Sequence, residues 1–167
     1  MKSDAVKVLV LCTGNSCRSV MAEALINDLG HGRYQAWSAG SVPVGYVHLK
    51  SIETLKRHSI DPGQPRSKSW DEFAEQSFDL VITVCDQAAG ESCPLFPGNP
   101  KKLYWSTPDP TKVTGSKAEI DAAFDKAFFM LKNRVEDVLP HLISRQPVFP
   151  CCPSILQRIR ASSRIRA

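Results

Sequence analysis

Cys12 and Arg18 are separated by Thr13-Gly14-Asn15-Ser16-Cys17, and Ser19 follows directly. A loop of that length between a cysteine and an arginine wraps one tetrahedral oxyanion. Its successive backbone N–H groups converge on the anion, and a helix starting behind it adds the positive end of its dipole. The planar fork of Arg18 suits two oxyanion oxygens. The same field lowers the pKa of a thiol, so Cys12 is expected to be a nucleophile populated as thiolate near neutral pH, with Ser19 donating to it. Gly14 is expected to supply a permissive backbone, and Asn15 to accept left-handed angles and tie the loop to itself.

Two further cysteines stand at a strand end and in a loop. Cys85 ends the apolar run Phe78-Asp79-Leu80-Val81-Ile82-Thr83-Val84, and Cys93 lies eight positions on in a Gly- and Pro-rich loop. Asp109, in Pro108-Asp109-Pro110, is either a turn starter or a proton donor. Cys17 reads as a buried structural thiol or as a reversible disulfide partner that shields Cys12. Cys151-Cys152 reads as inert, or as a spare thiol pair. His31, His48, His58 and His141 have no metal-ligand spacing and read as surface or helix-end residues; no metal site is expected among the cysteines either.

The elements that must position these residues alternate. Ala5–Leu11 is a strand apolar on both faces, as in a parallel sheet. Helices follow over 18–29, with Met21, Ala24, Leu25 and Leu29 on one face, and over 48–58, with Leu49, Ile52 and Leu55 inward. Strands are expected over Tyr34–Ser38, Phe78–Val84 and Lys102–Trp105, a short helix near 70–76, and a loop over 86–100. Ser116-Lys117-Ala118-Glu119 has capping-box form. It opens a helix with the stripe Ile120, Phe124, Ala127, Phe128, Leu131, Val135 and Val138, which Pro140 is expected to stop. The order predicts an α/β fold: three layers, α/β/α, around a central four-stranded parallel sheet. Ligands of such sheets sit beyond the C-terminal strand ends, where both Cys12 and Cys85 fall, so the two are expected to be neighbours.

The bulk numbers exclude several classes. With 167 residues, 43% hydrophobic and 23% charged, the chain is an ordinary globular one. The net charge of +4 belongs to residues 145–167, which hold five arginines and no acid; the remainder has 16 basic against 17 acidic residues. Nucleic-acid binding by the body is therefore not expected. No apolar run is long enough to span a membrane and no signal sequence is evident, so no membrane association and a cytoplasmic location are expected. Residues 1–144 read as one domain, and 145–167 as a mobile basic tail.

The segment Cys12–Ser19 resembles the phosphate loop of the low-molecular-weight tyrosine phosphatases and of the arsenate reductases that share their fold. The similarity runs from about residue 6 to about residue 140. It includes Ser38-Ala39-Gly40, and Trp105 followed by Asp109-Pro110, although Ser106-Thr107-Pro108 departs from the usual lead-in. Thr83-Val84-Cys85-Asp86-Gln87-Ala88-Ala89-Gly90-Glu91-Ser92-Cys93-Pro94 is similar to the redox segment of one bacterial arsenate reductase subgroup.

The resemblance implies arsenate as substrate, with phosphate or sulfate as mimics, held by Thr13, Gly14, Asn15, Ser16, Cys17, Arg18 and Ser19. It implies catalysis by Cys12, Arg18, Asp109, Cys85 and Cys93 without a bound cofactor. The two electrons come from thiols that become a disulfide, first 12–85 and then 85–93, restored by thioredoxin or by glutaredoxin with glutathione. The alternatives are a phosphatase using Cys12 and Asp109 alone, and an oxyanion-binding or arsenite-sensing protein. Some reductases of this fold hold potassium through four oxygen-bearing side chains. Asn15, Glu23 and Ser38 match three of them, but Ser67-Lys68 offers no carboxylate for the fourth, so no such site is expected.

Overall fold

The computed structural model describes residues 5–90 and 94–143. Cys93, Cys151, Cys152 and the tail over 145–167 lie outside the described residues. The elements run β1 (Val6–Cys12), α1 (Arg18–Leu29), β2 (Tyr34–Gly40), α2 (Leu49–Arg57), a 3-10 turn (Trp70–Phe73), β3 (Leu80–Thr83), α3 (Asp86–Ala89), β4 (Lys101–Tyr104), a second 3-10 turn (Pro110–Lys112) and α4 (Lys117–Ile143).

All four strands are parallel, in the order β2-β1-β3-β4. The central position of β1 explains why its sequence is apolar on both faces. Val8, Val10 and Cys12 face α1 and α4, joining Met21, Leu25, Phe124, Phe128 and Leu131. Leu9 and Leu11 face the other way, onto Phe73, Phe78 and Phe96. The third layer is thus built from the first 3-10 turn and loop segments rather than a long helix. Phe124 and Phe128 are essentially fully buried, and each such side chain stabilises the fold by about 1.5–3 kcal/mol. Among the described residues no helix is long and apolar enough to cross a membrane.

Helix α4 begins as its sequence implies. Glu119 N–H donates to Ser116 Oγ at 3.2 Å, and Ser116 N–H donates to Glu119 Oε2 at 2.9 Å. It does not stop at Pro140 but runs to Ile143. The proline falls in the last turn, where little helix remains to disrupt, and the Tyr34 hydroxyl donates to the Leu139 carbonyl from outside the helix. Two more expectations are corrected. Residues 86–89 form the short helix α3, not loop. In α2, Leu49 is 73% exposed, while Ser51, Thr54 and Leu55 are buried. The inward face of α2 is partly polar because Ser51 reaches the Ser16 carbonyl at 3.4 Å.

Candidate active site

The loop between β1 and α1 is shaped by where its carbonyls go. Thr13, Gly14 and Ser16 accept from the N–H groups of Val42, Val44 and His48 at 3.0, 3.1 and 2.9 Å. Peptide units are planar and trans, so the N–H groups of Gly14, Asn15 and Cys17 are turned the opposite way. Asn15 carries the left-handed turn, at φ 45°, and is fully buried. Its Nδ2 donates to Ser19 Oγ and to Ser38 Oγ, both at 2.9 Å. The asparagine thus ties the loop down as expected. Gly14, by contrast, is not among the residues with positive φ.

The loop lines a cavity of about 190 Å3 together with Cys12, Arg18, Val44, Tyr46, His48, Asp109 and Thr111. Cys12, Arg18 and Asp109 are therefore brought together. The fork of Arg18 engages the neighbouring loop: Nη1 donates to the Thr107 carbonyl at 2.9 Å, and Nη2 pairs with Asp109 Oδ2 at 3.0 Å. The fork that suits two oxyanion oxygens is here held by a carboxylate within reach. Burial pushes the Asp109 carboxyl up, but hydrogen bonds from Thr111 and the Arg18 charge outweigh it and hold the carboxyl below its usual range. Ser19 meets Asn15 in this arrangement, and the thiol that meets Cys12 is Cys85.

Cys12 and Cys85 are both nearly inaccessible, at 4% and 2% exposure, and each thiol shifts the ionisation of the other. Their neighbourhood in space, expected from the strand ends, is thus observed. The Cys85 sulfur is also 3.5 Å from Thr13 Oγ1 and accepts from Ala88 N–H at 3.4 Å. The hydrogen bond from Cys12, helped by Thr13 and Ala88 and opposed by burial, brings the Cys85 thiol down to about 5. Cys12 moves up, first through that bond to Cys85 and then through burial, with Arg18 pulling the other way. The lowered thiol is expected at Cys12; here a second strand end brings another sulfur to bear on it, and the lowering falls on Cys85.

A pH titration of thiolate absorbance checks this. One thiolate should appear as pH rises through about 5; Cys85→Ser should remove that step. Two thiols ionising together at the ordinary value of about 8.5 would contradict it.

Cys17 is buried as expected, near Ser51, and burial pushes its thiol up to about 12. His48 and His58 flank α2, and Nδ1 of His48 accepts Lys50 N–H at 3.2 Å. Sequence reasoning missed Val44, Tyr46, His48 and Thr111 as cavity walls; no periodicity marks loop residues that meet only after folding. Lys68, which offers no carboxylate for a cation, has its ammonium 3.8 Å from Glu23 Oε2.

Comparison with known proteins gives a consistent set. The family model for low molecular weight phosphotyrosine protein phosphatase matches residues 7–146. An arsenate reductase of Halalkalibacterium halodurans is 33% identical over 129 residues, covering 77% of this chain and 91% of its own. Among solved structures, an arsenate reductase in the phosphate binding state superposes with a TM-score of 0.66 at 27% identity, covering 81% of this chain and 98% of its own. The Escherichia coli K30 tyrosine phosphatase Wzb in complex with sulphate superposes at 0.67, covering 81% of this chain and 97% of its own; at 21% identity it shows the fold alone.

Proposed function

Since the chain belongs to the low molecular weight phosphotyrosine protein phosphatase family, with arsenate reductases among its relatives, we propose that it reduces arsenate to arsenite with its own thiols. The observation that carries this reading is the buried Cys12–Cys85 pair, with the Cys85 sulfur 3.5 Å from Thr13 Oγ1 of the oxyanion loop. Hydrolysis of a phosphate ester has no use for a second buried thiol on the nucleophile, whereas a two-electron reduction without a redox cofactor requires one.

The steps follow from the groups present. Arsenate enters the loop and takes the fork of Arg18 from Asp109. Asp109 loses its counter-charge, so its carboxyl rises and can carry a proton. Cys12 passes its proton to Asp109, which lines the same cavity, and attacks arsenic. A sulfur–arsenic bond forms, and one arsenate oxygen leaves as water, with Asp109 as the proton donor. The Cys85 thiolate then attacks the Cys12 sulfur. A sulfur–sulfur bond forms, the sulfur–arsenic bond breaks, and its electron pair stays on arsenic, which leaves as arsenite. Cys93 then attacks Cys85, moving the disulfide to the 85–93 pair and freeing Cys12. An external thiol donor, thioredoxin or glutaredoxin with glutathione, reduces that disulfide and is itself oxidised.

The cavity set Cys12, Arg18 and Asp109 by itself favours a second activity, hydrolysis of phosphate monoesters. The deciding experiment follows arsenite formation with each donor system and aryl phosphate hydrolysis in parallel. Donor-dependent arsenite is the expected result; hydrolysis with no arsenite under either donor would overturn the proposal.

A further inference from the structure

Beneath the loop, four residues close a ring of polar contacts. Asn15 Nδ2 donates to Ser38 Oγ at 2.9 Å, and the Ser38 hydroxyl donates to Glu23 Oε2. Glu23 Oε2 faces the Lys68 ammonium at 3.8 Å, and the backbone N–H of Lys68 returns to Asn15 Oδ1 at 2.8 Å. Lys68 is only 8% exposed, and its ammonium also donates to the Arg66 carbonyl at 3.1 Å. Its own carbonyl accepts Gly40 N–H at 2.9 Å. Gly40 has no room for a side chain, since a Cβ there would lie 2.3 Å from the Thr13 carbonyl oxygen. The segment carrying Lys68 is thus locked onto the strand end that abuts the loop.

A buried lysine in a ring that contains the loop's left-handed residue calls for a reason. We propose that Lys68 is a positioning residue of the oxyanion loop: its ammonium keeps Glu23 an anionic acceptor, and through Ser38 that acceptor holds Asn15 in its turn. The direction of the hydrogen bonds requires it. Ser38 Oγ receives Asn15, so the Ser38 proton needs an acceptor on the other side. An ionised Glu23 is that acceptor. A protonated Glu23 is a competing donor, and burial already pushes Glu23 toward that form, with Ser38 and Lys68 opposing. Without the ammonium, Glu23 takes the proton, the ring reverses at Ser38, and Asn15 loses its anchor.

The inference rests on Cys12–Arg18 being the oxyanion loop, and the test separates the two. Inorganic phosphate binding is measured by calorimetry, with thermal melting alongside, on wild type, Lys68→Met and the double variant Lys68→Met/Glu23→Gln. Methionine keeps the volume and removes the charge. Misplaced loop donors should weaken phosphate binding about ten- to a hundredfold. In the double variant no carboxyl remains to be protonated, and the Gln amide oxygen can accept from Ser38, so binding should return to near wild type.

A purely packing role predicts wild-type binding in Lys68→Met and no recovery from the second change; either result overturns the proposal. If Lys68→Met does not fold, the double variant decides: folded and binding supports the ring, unfolded or weak overturns it. Wild type failing to bind phosphate overturns the loop reading itself.

Discussion

Cys12→Ser will bring arsenate reduction to background, a loss of roughly ten-thousandfold or more by analogy with other removed nucleophiles. Hydrolysis of aryl phosphates will be lost with it. A serine hydroxyl keeps the size and the hydrogen-bonding position but cannot ionise near neutral pH, and it can neither bond to arsenic as a thiolate nor enter a disulfide. The loop itself should survive. Its shape is set by carbonyls bonded to Val42, Val44 and His48 and by the Asn15 anchor, none of which involves the sulfur. Phosphate should therefore still bind to Cys12→Ser. Arsenite assay, hydrolysis assay and phosphate titration on the one variant check all three outcomes. Retained arsenate turnover would mean that the chemistry starts elsewhere.

Cys85→Ser separates the two activities. Arsenate reduction should fall to background, because the adduct on Cys12 then has no neighbouring thiol to take it apart. Hydrolysis should persist and can rise. The bond to Cys85 is the main reason Cys12 holds its proton; with that thiol gone, Arg18 and the Thr13 N–H act on Cys12 against burial alone. More thiolate at neutral pH means a better nucleophile for ester cleavage. Aryl phosphate hydrolysis within about tenfold of wild type, or above it, with arsenite formation abolished, is the expected split. Equal loss of both would make Cys85 a structural residue.

The sequence made the sheet and the Cys12–Arg18 loop readable, because both are local signals. An apolar run long enough to be buried on both faces had to be a central parallel strand, and β1 is one. The capping box of α4 and the left-handed Asn15 were likewise written in neighbouring residues. What stayed hidden depends on partners distant in the chain. The Arg18 fork turns to Asp109, 91 positions away. The ammonium of Lys68 meets Glu23, 45 positions away in the chain, only once the fold brings them together. Leu49 looked like core by spacing, yet Ser51 turns inward to the Ser16 carbonyl and Leu49 outward. Pro140 looked like a stop, and its lone penalty in a final turn is too small to end a helix packed along its length. That a second sulfur bears on the ionisation of Cys12 is not legible in the loop alone, because two strand ends distant in the chain deliver one sulfur each to the same place.

A single turnover without any external donor puts the paired thiols to the most direct test. Cys93→Ser protein is fully reduced, mixed with excess arsenate, quenched under acid and mapped by mass spectrometry while arsenite is counted. The two thiols acting together predict one arsenite per chain and a disulfide joining the peptides of Cys12 and Cys85. Arsenite absent, with both thiols recovered free from a protein that still binds phosphate, would contradict the account.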